Sequence, residues 1–420
     1  MRSDRRPTAG GPARPALAGG PDAVVLGGSS NSLAVARSLS RQGVRVHGLS
    51  DGAGGSLLRY SRHVAGFVEA TSASRAPQVW DDWLDRAPDG AVLLPCSDIA
   101  LEYLATRRPA LTARGLRPPE SDDDVTLAML DKQQTYQLAR AVGVRAPRTA
   151  TLEAGADLDR VAADFTFPCA VKPRHSHRFA QVFGVKAVVV RDVDELRRTL
   201  TAIDEAGLSV LLTEIVPGRD DAYCSYYTYL TPDGEALLHF TKRKPRQNPP
   251  GFGLGTLHES DWVPEAAREG LRFFRGVGLT WIGNVEFKVD ARDGGLTLIE
   301  CNPRFTAADR LVQNAGVDLA GVAYRRAVGL DVPPVADFAT GVRQWHPWED
   351  AQAFWAYRSA GQLSTGDWVR SLARRQHLPV FDRDDPAPTL VHDARFLLGK
   401  GRGAARRARR AVTAAGRPRA

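Results

Sequence analysis

The sequence has few cysteines, and none of them are spaced as metal ligands. Four occur in 420 residues, far apart, with no Cys-x-x-Cys pair and no Cys/His spacing typical of zinc sites. This pattern excludes a disulfide scaffold and a zinc ribbon, and it is typical of buried thiols in a reducing compartment. The four residues are Cys96, Cys169, Cys224 and Cys301.

Long apolar runs are also missing. No stretch approaches the roughly 20 apolar residues that a transmembrane helix needs. The N-terminus is basic but lacks the continuous apolar segment of a signal peptide. We therefore expect no membrane span and a cytoplasmic protein.

Acidic residues are absent from the last part of the chain. Residues 399–420 contain eight Lys and Arg residues, which account for the whole formal net charge of +8. The rest of the chain is formally neutral, so nucleic-acid binding by the core is not expected. We predict that this tail is disordered and aids solubility, with attraction to a polyanion or an anionic surface as the alternative. Residues 1–21, rich in Gly, Pro, Ala and Arg, are also predicted to be disordered.

The most informative stretch that is present runs from Trp281 to Phe305. Two segments alternate polar and apolar residues, as half-buried strands do, and Arg-Asp-Gly-Gly at 292–295 supplies a turn between them. A hairpin centred near residue 293 places Glu286 and Glu300 opposite each other. Asn302 is two residues from Glu300 and shares its face. Because opposed like charges are destabilising, a positive group is expected between the glutamates.

Two carboxylates and an amide oxygen on a rigid hairpin suit Mg²⁺, which takes further ligands from water and substrate phosphates. Arg304, two residues further on, would offer bidentate donors to phosphate or carboxylate. The alternative is a solvated strand face with scattered charges. Spacing alone does not decide between these two interpretations.

The N-terminal part reads as an α/β unit. Residues 22–51 follow the order strand, Gly-rich turn, helix, strand, which calls for a parallel sheet. The turn Gly-Gly-Ser-Ser at 27–30 lacks the full Gly-x-Gly-x-x-Gly pattern, so a tight structural turn or a substrate contact is favoured over dinucleotide binding. A second polar loop at 96–98 follows the strand at 91–95, at the same sheet edge.

Two lysines occupy positions where a nearby anion or partner would be favoured. Lys132 opens a helix capped by Asp131, where a cation is disfavoured unless an anion is nearby. Lys172 is the only charge in the strand Phe-Pro-Cys-Ala-Val-Lys-Pro. The alternative for Lys132 is an exposed helical lysine, whereas a core-facing ammonium at Lys172 needs a partner. The polar loop that follows, with His175 and His177, would suit a lid over phosphates, and these histidines are better read as solvated than as a metal pair.

The apolar strand at 208–218 ends in Glu214 and a Pro-Gly break. Main-chain groups of Ile215 and Val216 could then hydrogen-bond to an adenine edge. Asp220 and Asp221, which follow closely, could reach the ribose hydroxyls. Downstream, a strand ends in the basic run Lys242-Arg243-Lys244-Pro245-Arg246, which would serve phosphate or carboxylate or form a plain solvated cluster.

In this order, the motifs resemble the ATP-grasp superfamily, specifically its carboxylate–amine ligase-like members. The likeness rests on the Asp-Lys pair ending at Lys132, Val-Lys-Pro around Lys172, Thr-Glu-Ile-Val-Pro-Gly around Glu214, Thr-Lys-Arg-Lys at 241–244, Val-Glu-Phe-Lys-Val-Asp at 285–290 and Ile-Glu-Cys-Asn-Pro-Arg at 299–304. The resemblance implies an α/β and α+β ATP-grasp fold. Its expected parts are a preATP-grasp (Rossmann-like) domain at 22–120 and an ATP-grasp domain at 121–330 with a lid at about 150–215. Independently of the resemblance, the aromatic residues and a helical pattern predict a C-terminal packing extension at 331–398.

The same resemblance implies a site for ATP and Mg²⁺ or Mn²⁺. Lys132 and Lys172 would hold the α- and β-phosphates, Glu214 with the Ile215 and Val216 backbone the adenine, and Asp221 (or Asp220) the ribose. Glu286, Glu300 and Asn302 would ligate the metal. Arg304 and Arg243, with Lys242, would face the γ-phosphate and a developing acyl phosphate. One departure concerns the lid, because residues 174–183 lack the glycine-rich run of many members.

The implied activity is ATP-dependent joining of a small carboxylate to an amine through an acyl phosphate, with ADP and phosphate as products. Substrate choice would rest with the loops at 28–31 and 96–98 and with the cleft near Arg246 and Glu259. A bicarbonate-using carboxylase or carbamoyl-phosphate-type enzyme ranks lower, because no biotin-attachment segment and no glutaminase portion are present. The third alternative is an ATP-binding module without turnover, which would be expected to lack one of the four hairpin residues.

Overall fold

The computed structural model describes residues 17–52, 56–152, 157–173, 187–205 and 208–398. The tail at 399–420, residues 1–16 and the predicted lid loop at 174–183 with His175 and His177 lie outside these ranges. The predicted disorder of residues 1–21 is wrong for residues 17–21, which are ordered against the domain. Leu17 is 5% exposed and its N–H donates to the carbonyl of Gln42 at 2.7 Å, so an apolar anchor precedes the first strand.

The N-terminal sheet has four parallel strands in the order β3-β2-β1-β4. Its first, second and fourth strands are buried along their whole length, as expected for a parallel sheet covered on both faces. The predicted strand–turn–helix–strand unit is therefore confirmed. The elements are β1 (Ala23–Leu26), α1 (Ser30–Arg41), β2 (Val46–Leu49), a 3₁₀ turn (Leu57–Tyr60), β3 (Gly66–Val68), α2 (Ala76–Leu84), β4 (Val92–Pro95) and α3 (Asp98–Ala113).

Two short helices with acidic caps follow, α4 (Asp123–Leu130) and α5 (Lys132–Ala141). Asp122 caps α4, and Asp131 caps α5 by accepting the N–H groups of Gln133 and Gln134 at 2.8 and 3.3 Å. The predicted helix start at Lys132 is confirmed.

A small antiparallel sheet in the order β5-β8-β6-β7 has its own apolar core and lies within the predicted lid. Its elements are β5 (Thr149–Leu152), α6 (Leu158–Ala163), β6 (Cys169–Pro173), β7 (Val188–Val190), α7 (Val193–Glu205) and β8 (Val210–Glu214). β6 pairs with β8 so that Cys169 lies opposite Glu214. The end of β8, where an adenine was predicted, therefore lies beside β6, which carries Lys172.

The largest sheet has six antiparallel strands in the order β13-β12-β9-β10-β11-β14. Its helix α8 packs Phe273 and Phe274 into an apolar core with Tyr226 and Val285. The elements are a 3₁₀ turn (Asp220–Ala222), β9 (Tyr223–Leu230), β10 (Phe240–Asn248), β11 (Leu254–Ser260), α8 (Pro264–Gly276), β12 (Trp281–Val289), β13 (Leu296–Asn302) and β14 (Arg343–Trp345).

Two separate helices follow the hairpin, α9 (Asp309–Asn314) and α10 (Leu319–Ala327). Gly316, with φ +97°, lies between them, and Asp318 caps α10.

The C-terminal extension is integral to the fold. It contributes β14 to the six-stranded sheet, followed by α11 (Pro347–Ser359), α12 (Thr365–Leu372) and a helix at 387–398. Two buried ion pairs attach it elsewhere, Arg246–Asp350 at 2.8 Å and Arg37–Asp385 at 2.9 Å. In the ranges that the structure describes, no helix is both long and apolar enough to cross a membrane.

Candidate active site

The hairpin of β12 and β13 places its two glutamates opposite each other. Glu286 and Glu300 are register partners, and Asn284 faces Asn302 in the same ladder. The register shifts by one residue between Glu286 and Phe287, so Ile299 is the extra residue. The predicted opposition of the two glutamates is confirmed.

The row continues across the sheet on the same face. Glu286 pairs with Ser225 of β9, Ser225 with Lys242 of β10, and Lys242 with Ser260 of β11. Two carboxylates therefore lie at one end of a polar cross-strand row and an ammonium lies two strands away, about 10 Å at ordinary strand spacing. We call Glu300, Glu286, Ser225 and Lys242 the polar row.

A lysine that the sequence did not single out sits beside the glutamates. Lys244 Nζ lies 2.8 Å from Glu286 Oε1, with side-chain exposures of 5% and 16%. The same ammonium lies 3.9 Å from the ring centroid of Tyr223, a cation–π contact. The positive charge expected near the opposed carboxylates is thus present. Its sequence signal was alternation, because Lys242 and Lys244 are two apart and share a face.

Arg243 lies on the other face of β10, contrary to its predicted place beside the γ-phosphate. Its Nε is 2.7 Å from Asp261 Oδ2, and both side chains are more than 40% exposed. It does not line the cleft described below. The strand pleat turns neighbouring residues to opposite faces, so Arg243 points away from Lys242 and Lys244.

Arg304 joins the hairpin to the N-terminal domain. Its Nε donates to Asp98 Oδ1 at 2.6 Å and its Nη2 donates to the Asn302 side-chain oxygen at 3.0 Å. Nearby, the amide of Asn31 donates to the carbonyls of Cys96 and Phe305 at 2.7 and 3.0 Å. Both predicted substrate loops, 28–31 and 96–98, therefore reach the end of β13.

The loop at 27–31 approaches the neighbouring strand end closely. Gly28 has φ +79°, and a Cβ there would lie 2.7 Å from the Cys96 Cβ. Only glycine fits this close approach. The Gly-rich turn is therefore a structural requirement that also brings Ser29 and Ser30 to the cleft.

The two predicted phosphate-binding lysines lie in the same electrostatic environment. Lys132 lines a small cavity together with Glu300 and Asn302. Burial lowers the pKa of Lys172 to about 8, with Lys132 as the next contributor, while Glu300 and Glu286 act in the opposite direction. An anionic ligand between the lysines would offset the cost of burying the Lys172 charge and the repulsion between the two ammonium groups.

At the predicted adenine position, Glu214 and Val216 already have partners. Glu214 Oε1 lies 2.6 Å from Arg292, and the carbonyl of Val216 accepts Lys288 Nζ at 2.9 Å. Ile215 lies between them, directly after β8. Lys288 Nζ is 5.1 Å from the ring centroid of Tyr223, and Lys244 contacts the same ring. The end of β8 therefore lies close to Lys244 and the polar row.

Of the two candidate ribose ligands, Asp220 has a structural role. It accepts hydrogen bonds from Gln247 and the Gly251 N–H, both at 2.8 Å, and from the Tyr357 hydroxyl at 2.6 Å. Asp221 is half exposed and pairs only with the neighbouring Arg219 in the described part of the chain. Asp221 is the better candidate.

A cleft of about 800 Å³ lies over the polar row. Its floor includes the whole row with Lys244, Asn302 and Arg304, and Ser29, Ser30 and Leu57 of the N-terminal domain contribute to its walls. A further wall comes from the C-terminal extension. Five predicted site residues therefore face one space: Lys242, Glu286, Glu300, Asn302 and Arg304.

The donor set of the hairpin fits a hard divalent cation that shares its coordination with a ligand. Glu286 and Glu300 offer carboxylate oxygens and Asn302 an amide oxygen, which are the ligand types that Mg²⁺ prefers. Among the described residues, no group of three or more His, Cys, Asp or Glu side chains is placed to hold a metal ion. A metal here would need phosphate and water oxygens as well.

No family model matches the sequence. Among curated proteins, the chain is similar to the C-terminal section of the carbamoyl phosphate synthase large chain of Methanopyrus kandleri. The identity is 24% over 237 residues, which is 54% of this chain and 42% of that protein. The chain thus spans less than half the length of this relative.

Solved structures share the fold more extensively. The N5-carboxyaminoimidazole synthetase of Staphylococcus aureus complexed with ADP has a TM-score of 0.61 and 14% identity, covering 78% of this chain and 82% of that one. The biotin carboxylase domain of the Hydrogenobacter thermophilus 2-oxoglutarate carboxylase, in complex with MgADP, ADP and bicarbonate, has a TM-score of 0.60 and 16% identity, covering 77% and 73%. The L-amino acid ligase of Bacillus licheniformis has a TM-score of 0.55 and 16% identity, covering 74% of each chain.

These structures are ATP-grasp enzymes. At identities of 14–16%, the similarity shows the fold. The chain has the ATP-grasp fold, which the sequence motifs predicted.

Proposed function

We propose that this ATP-grasp protein is an ATP-dependent ligase that activates a carboxylate as an acyl phosphate and joins it to an amine. The observation that carries the proposal is the polar row in its cleft. Opposed carboxylates at one end suit a metal-bound phosphate, and Lys242 at the other end suits a carboxylate substrate. Arg304 borders the same space.

ATP is the phosphoryl donor in this proposal. Lys132 and Lys172 hold its α- and β-phosphates, and the adenine lies against Glu214, Ile215 and Val216 after β8. Asp221 holds the ribose. The shared electrostatic environment of the two lysines and Glu300 supports this arrangement, because a polyphosphate and a metal would balance all three charges.

Glu286, Glu300 and Asn302 would hold Mg²⁺, or Mn²⁺, which neutralises charge on the phosphates when bound. Lys244 already pairs with Glu286, and this contact holds the carboxylate in place beside Glu300. Arg304 is fixed by Asp98 and Asn302, which reduces the entropy lost when it binds phosphate.

The chemistry needs positioning and charge neutralisation. A carboxylate oxygen attacks the γ-phosphorus, the bond to ADP breaks, and Lys242 and Arg304 balance the negative charge. The amine nitrogen then attacks the acyl carbon, and phosphate leaves. A cysteine nucleophile is not expected, because burial raises the pKa of Cys224 to about 12 and that of Cys301 still further.

The test is ADP release with Mg²⁺-ATP and a panel of small carboxylates and amino acids, singly and in pairs, with hydroxylamine as a trap for acyl phosphates. We expect carboxylate-dependent ADP release and hydroxamate formation. Glu300→Ala should lower both by about a hundredfold or more, since a ligand of the phosphate-bound metal is lost. Glu69→Ala is the control, because Glu69 pairs with Arg59 on the protein surface. Full activity of Glu300→Ala would sink the metal assignment.

A second candidate is a bicarbonate-using ligase. It is favoured by the similarity to a carbamoyl phosphate synthase and by the neighbours named as carboxylases, one of them solved with bicarbonate. This candidate predicts ADP release that requires bicarbonate and no other carboxylate. The screen distinguishes it when run in bicarbonate-depleted buffer.

A further inference from the structure

One wall of the cleft comes from the C-terminal extension, outside the predicted ATP-grasp domain. It carries ionisable side chains among apolar ones, and no nucleotide or metal role has been assigned to them. The residues of this C-terminal wall are His346, Glu349, Pro379, Val380, His392, Arg395 and Phe396.

A buried network fixes this wall against the sheet. Asp350, which is fully buried, accepts bidentate hydrogen bonds from Arg246 at 2.8 and 2.9 Å. The same carboxylate accepts the Thr256 hydroxyl at 2.7 Å and the indole N–H groups of Trp345 and Trp368 at 3.0 and 2.9 Å. Five donors on one carboxylate hold the first turn of α11 rigidly. Glu349 precedes Asp350 in that turn, so its position at the cleft is fixed as well.

His392 belongs to an oriented pair. Its Nδ1 lies 3.1 Å from Asp393 Oδ1, and the indole N–H of Trp348 donates to the same oxygen at 2.9 Å. Trp348 also stacks on Phe396, with ring centroids 5.1 Å apart. A carboxylate accepts hydrogen bonds, so Nδ1 donates its proton in this contact. In the neutral form of the ring the lone pair is then on Nε2. Within the described residues, Nε2 makes no hydrogen bond.

Glu349 is the anionic group of the wall. Among the described residues it makes no hydrogen bond and no ion pair. His346 and His392 line the same wall of the cleft as Glu349. The amide of Gln344 donates to His346 Nε2 at 3.1 Å, and burial lowers the pKa of His346, so this imidazole is neutral. A carboxylate beside neutral imidazole and the apolar side chains of Val380 and Phe396 suits an ammonium group on a carbon chain.

The wall lies at the far end of the cleft from the proposed metal. Lys242, at the end of the polar row, is 3.3 Å from His258, whose ring centroid is 6.2 Å from that of His346. A carboxylate held near Ser225 and Lys242 would therefore lie between Glu286 and the C-terminal wall. An amine at the wall would therefore lie next to the carboxylate, away from the proposed metal.

We propose that the C-terminal wall is the acceptor subsite, where Glu349 binds a primary amine as its ammonium ion and His392 accepts a proton from it. This inference rests on the proposed ligase function. The ammonium N–H bond breaks and its proton moves to His392 Nε2. The freed nitrogen lone pair forms the C–N bond, the C–O bond to phosphate breaks, and the second nitrogen proton leaves with the phosphate.

The test compares two nucleophiles in the full chain. Hydroxylamine is uncharged at neutral pH and attacks acyl phosphates without a base. Glycine, ethanolamine and putrescine are present mainly as ammonium ions. With an amine that the wild type accepts, Glu349→Gln should raise the amine KM about tenfold or more, and His392→Gln should lower kcat about a hundredfold, the usual contribution of a general base. Both variants should lower the ratio of amide to hydroxamate formed. Glu69→Gln, a surface substitution, should leave that ratio unchanged.

Two results would overturn the assignment. One is an equal loss of amide and hydroxamate in the variants, which would show a structural role for the wall. The other is a wild-type enzyme that forms hydroxamate but gains no rate from any of these amines. A wild type that forms no hydroxamate and releases no carboxylate-dependent ADP would instead contradict the ligase function itself.

Discussion

At the scale of single residues, Lys172 gives the most direct link between charge and nucleotide binding. It lies near the end of β6 with Lys132, Glu286 and Glu300 as electrostatic neighbours, and burial holds its pKa at about 8. Below pH 8 the side chain is mostly an ammonium ion. Above pH 8 it loses the charge that a phosphate would bind.

We therefore predict that the affinity for Mg²⁺-ADP falls as the pH rises through 8. Bound phosphate favours the ammonium form, so the bound-state pKa lies above the free-state pKa. The Kd at pH 9 should then exceed that at pH 7 by about tenfold, one pKa unit being a factor of ten. Isothermal titration calorimetry at several pH values measures this.

Lys172→Met supplies the comparison for that experiment. This variant should bind Mg²⁺-ADP weakly at every pH, and its Kd should lose most of its pH dependence. Lys242 also has a pKa lowered to about 8 by burial, but it lies at the carboxylate end of the polar row. Lys242→Met should therefore keep the pH dependence of nucleotide binding. If Lys242→Met abolishes it and Lys172→Met does not, the phosphate assignment of Lys172 is wrong.

At the scale of single elements, β10 separates residues that its sequence groups together. Lys242 and Lys244 face the cleft and are buried, whereas Arg243 faces Asp261 at the surface. The pleat thus divides a run of basic residues into a face that lines the cleft and a face exposed to solvent.

The two faces of β10 should respond differently to substitution. Lys244→Met leaves Glu286 and Glu300 opposed without their ammonium partner and should destabilise the free protein by roughly 3 kcal/mol. Arg243→Met removes an exposed pair worth about 1 kcal/mol or less. Thermal unfolding measures both changes.

Mg²⁺-ADP provides a further check on this difference. It should raise the unfolding temperature of Lys244→Met more than that of the wild type, because the metal supplies the missing positive charge. Carboxylate-dependent ADP release should fall in Lys244→Met and stay within about twofold of wild type in Arg243→Met, whose ion pair is exposed. The opposite ranking of the two variants would contradict the assignment of faces.

The hairpin shows how far the sequence could predict the site. Two alternating segments and one turn were enough to place Glu286 opposite Glu300, because hairpin register follows from local pairing. Local alternation also separates Arg243 from Lys244. Alternation does not predict which face the residues after Lys244 occupy, because Pro245 and register shifts between Arg243 and Gln247 interrupt the regular pairing.

The C-terminal wall could not be predicted in the same way. Its residues at 346–396 meet Ser29, Ser30 and Leu57 only through long-range packing, and no short motif marks them. Asp350 illustrates this, because its five donors come from β10, β11, β14 and α12. Such contacts depend on the whole fold and leave no periodic signal in the sequence.

At the scale of the whole molecule, the cleft depends on docking of the C-terminal extension. Asp350→Asn should weaken that docking, because Arg246 would be left buried without its full counter-charge. Breaking such a pair typically costs about 3–5 kcal/mol. Urea unfolding followed by tryptophan fluorescence measures the change, since Trp345, Trp348, Trp355 and Trp368 all lie in this extension.

Asp384→Asn is the matched control for this experiment. Asp384 is 71% exposed and lies 3.4 Å from Arg41, so its loss should change stability by less than about 1 kcal/mol. Equal unfolding midpoints for Asp350→Asn and the wild type would contradict the structural role given to the buried network.

The most direct test of the account follows oxygen from the carboxylate to phosphate. The carboxylate that supports ADP release is labelled with ¹⁸O in both oxygens, and the phosphate formed is analysed by mass spectrometry. Attack of the carboxylate on the γ-phosphorus, followed by displacement at the acyl carbon, predicts one ¹⁸O atom in each phosphate released. Phosphate without ¹⁸O would show that no acyl phosphate forms and would contradict the proposed function.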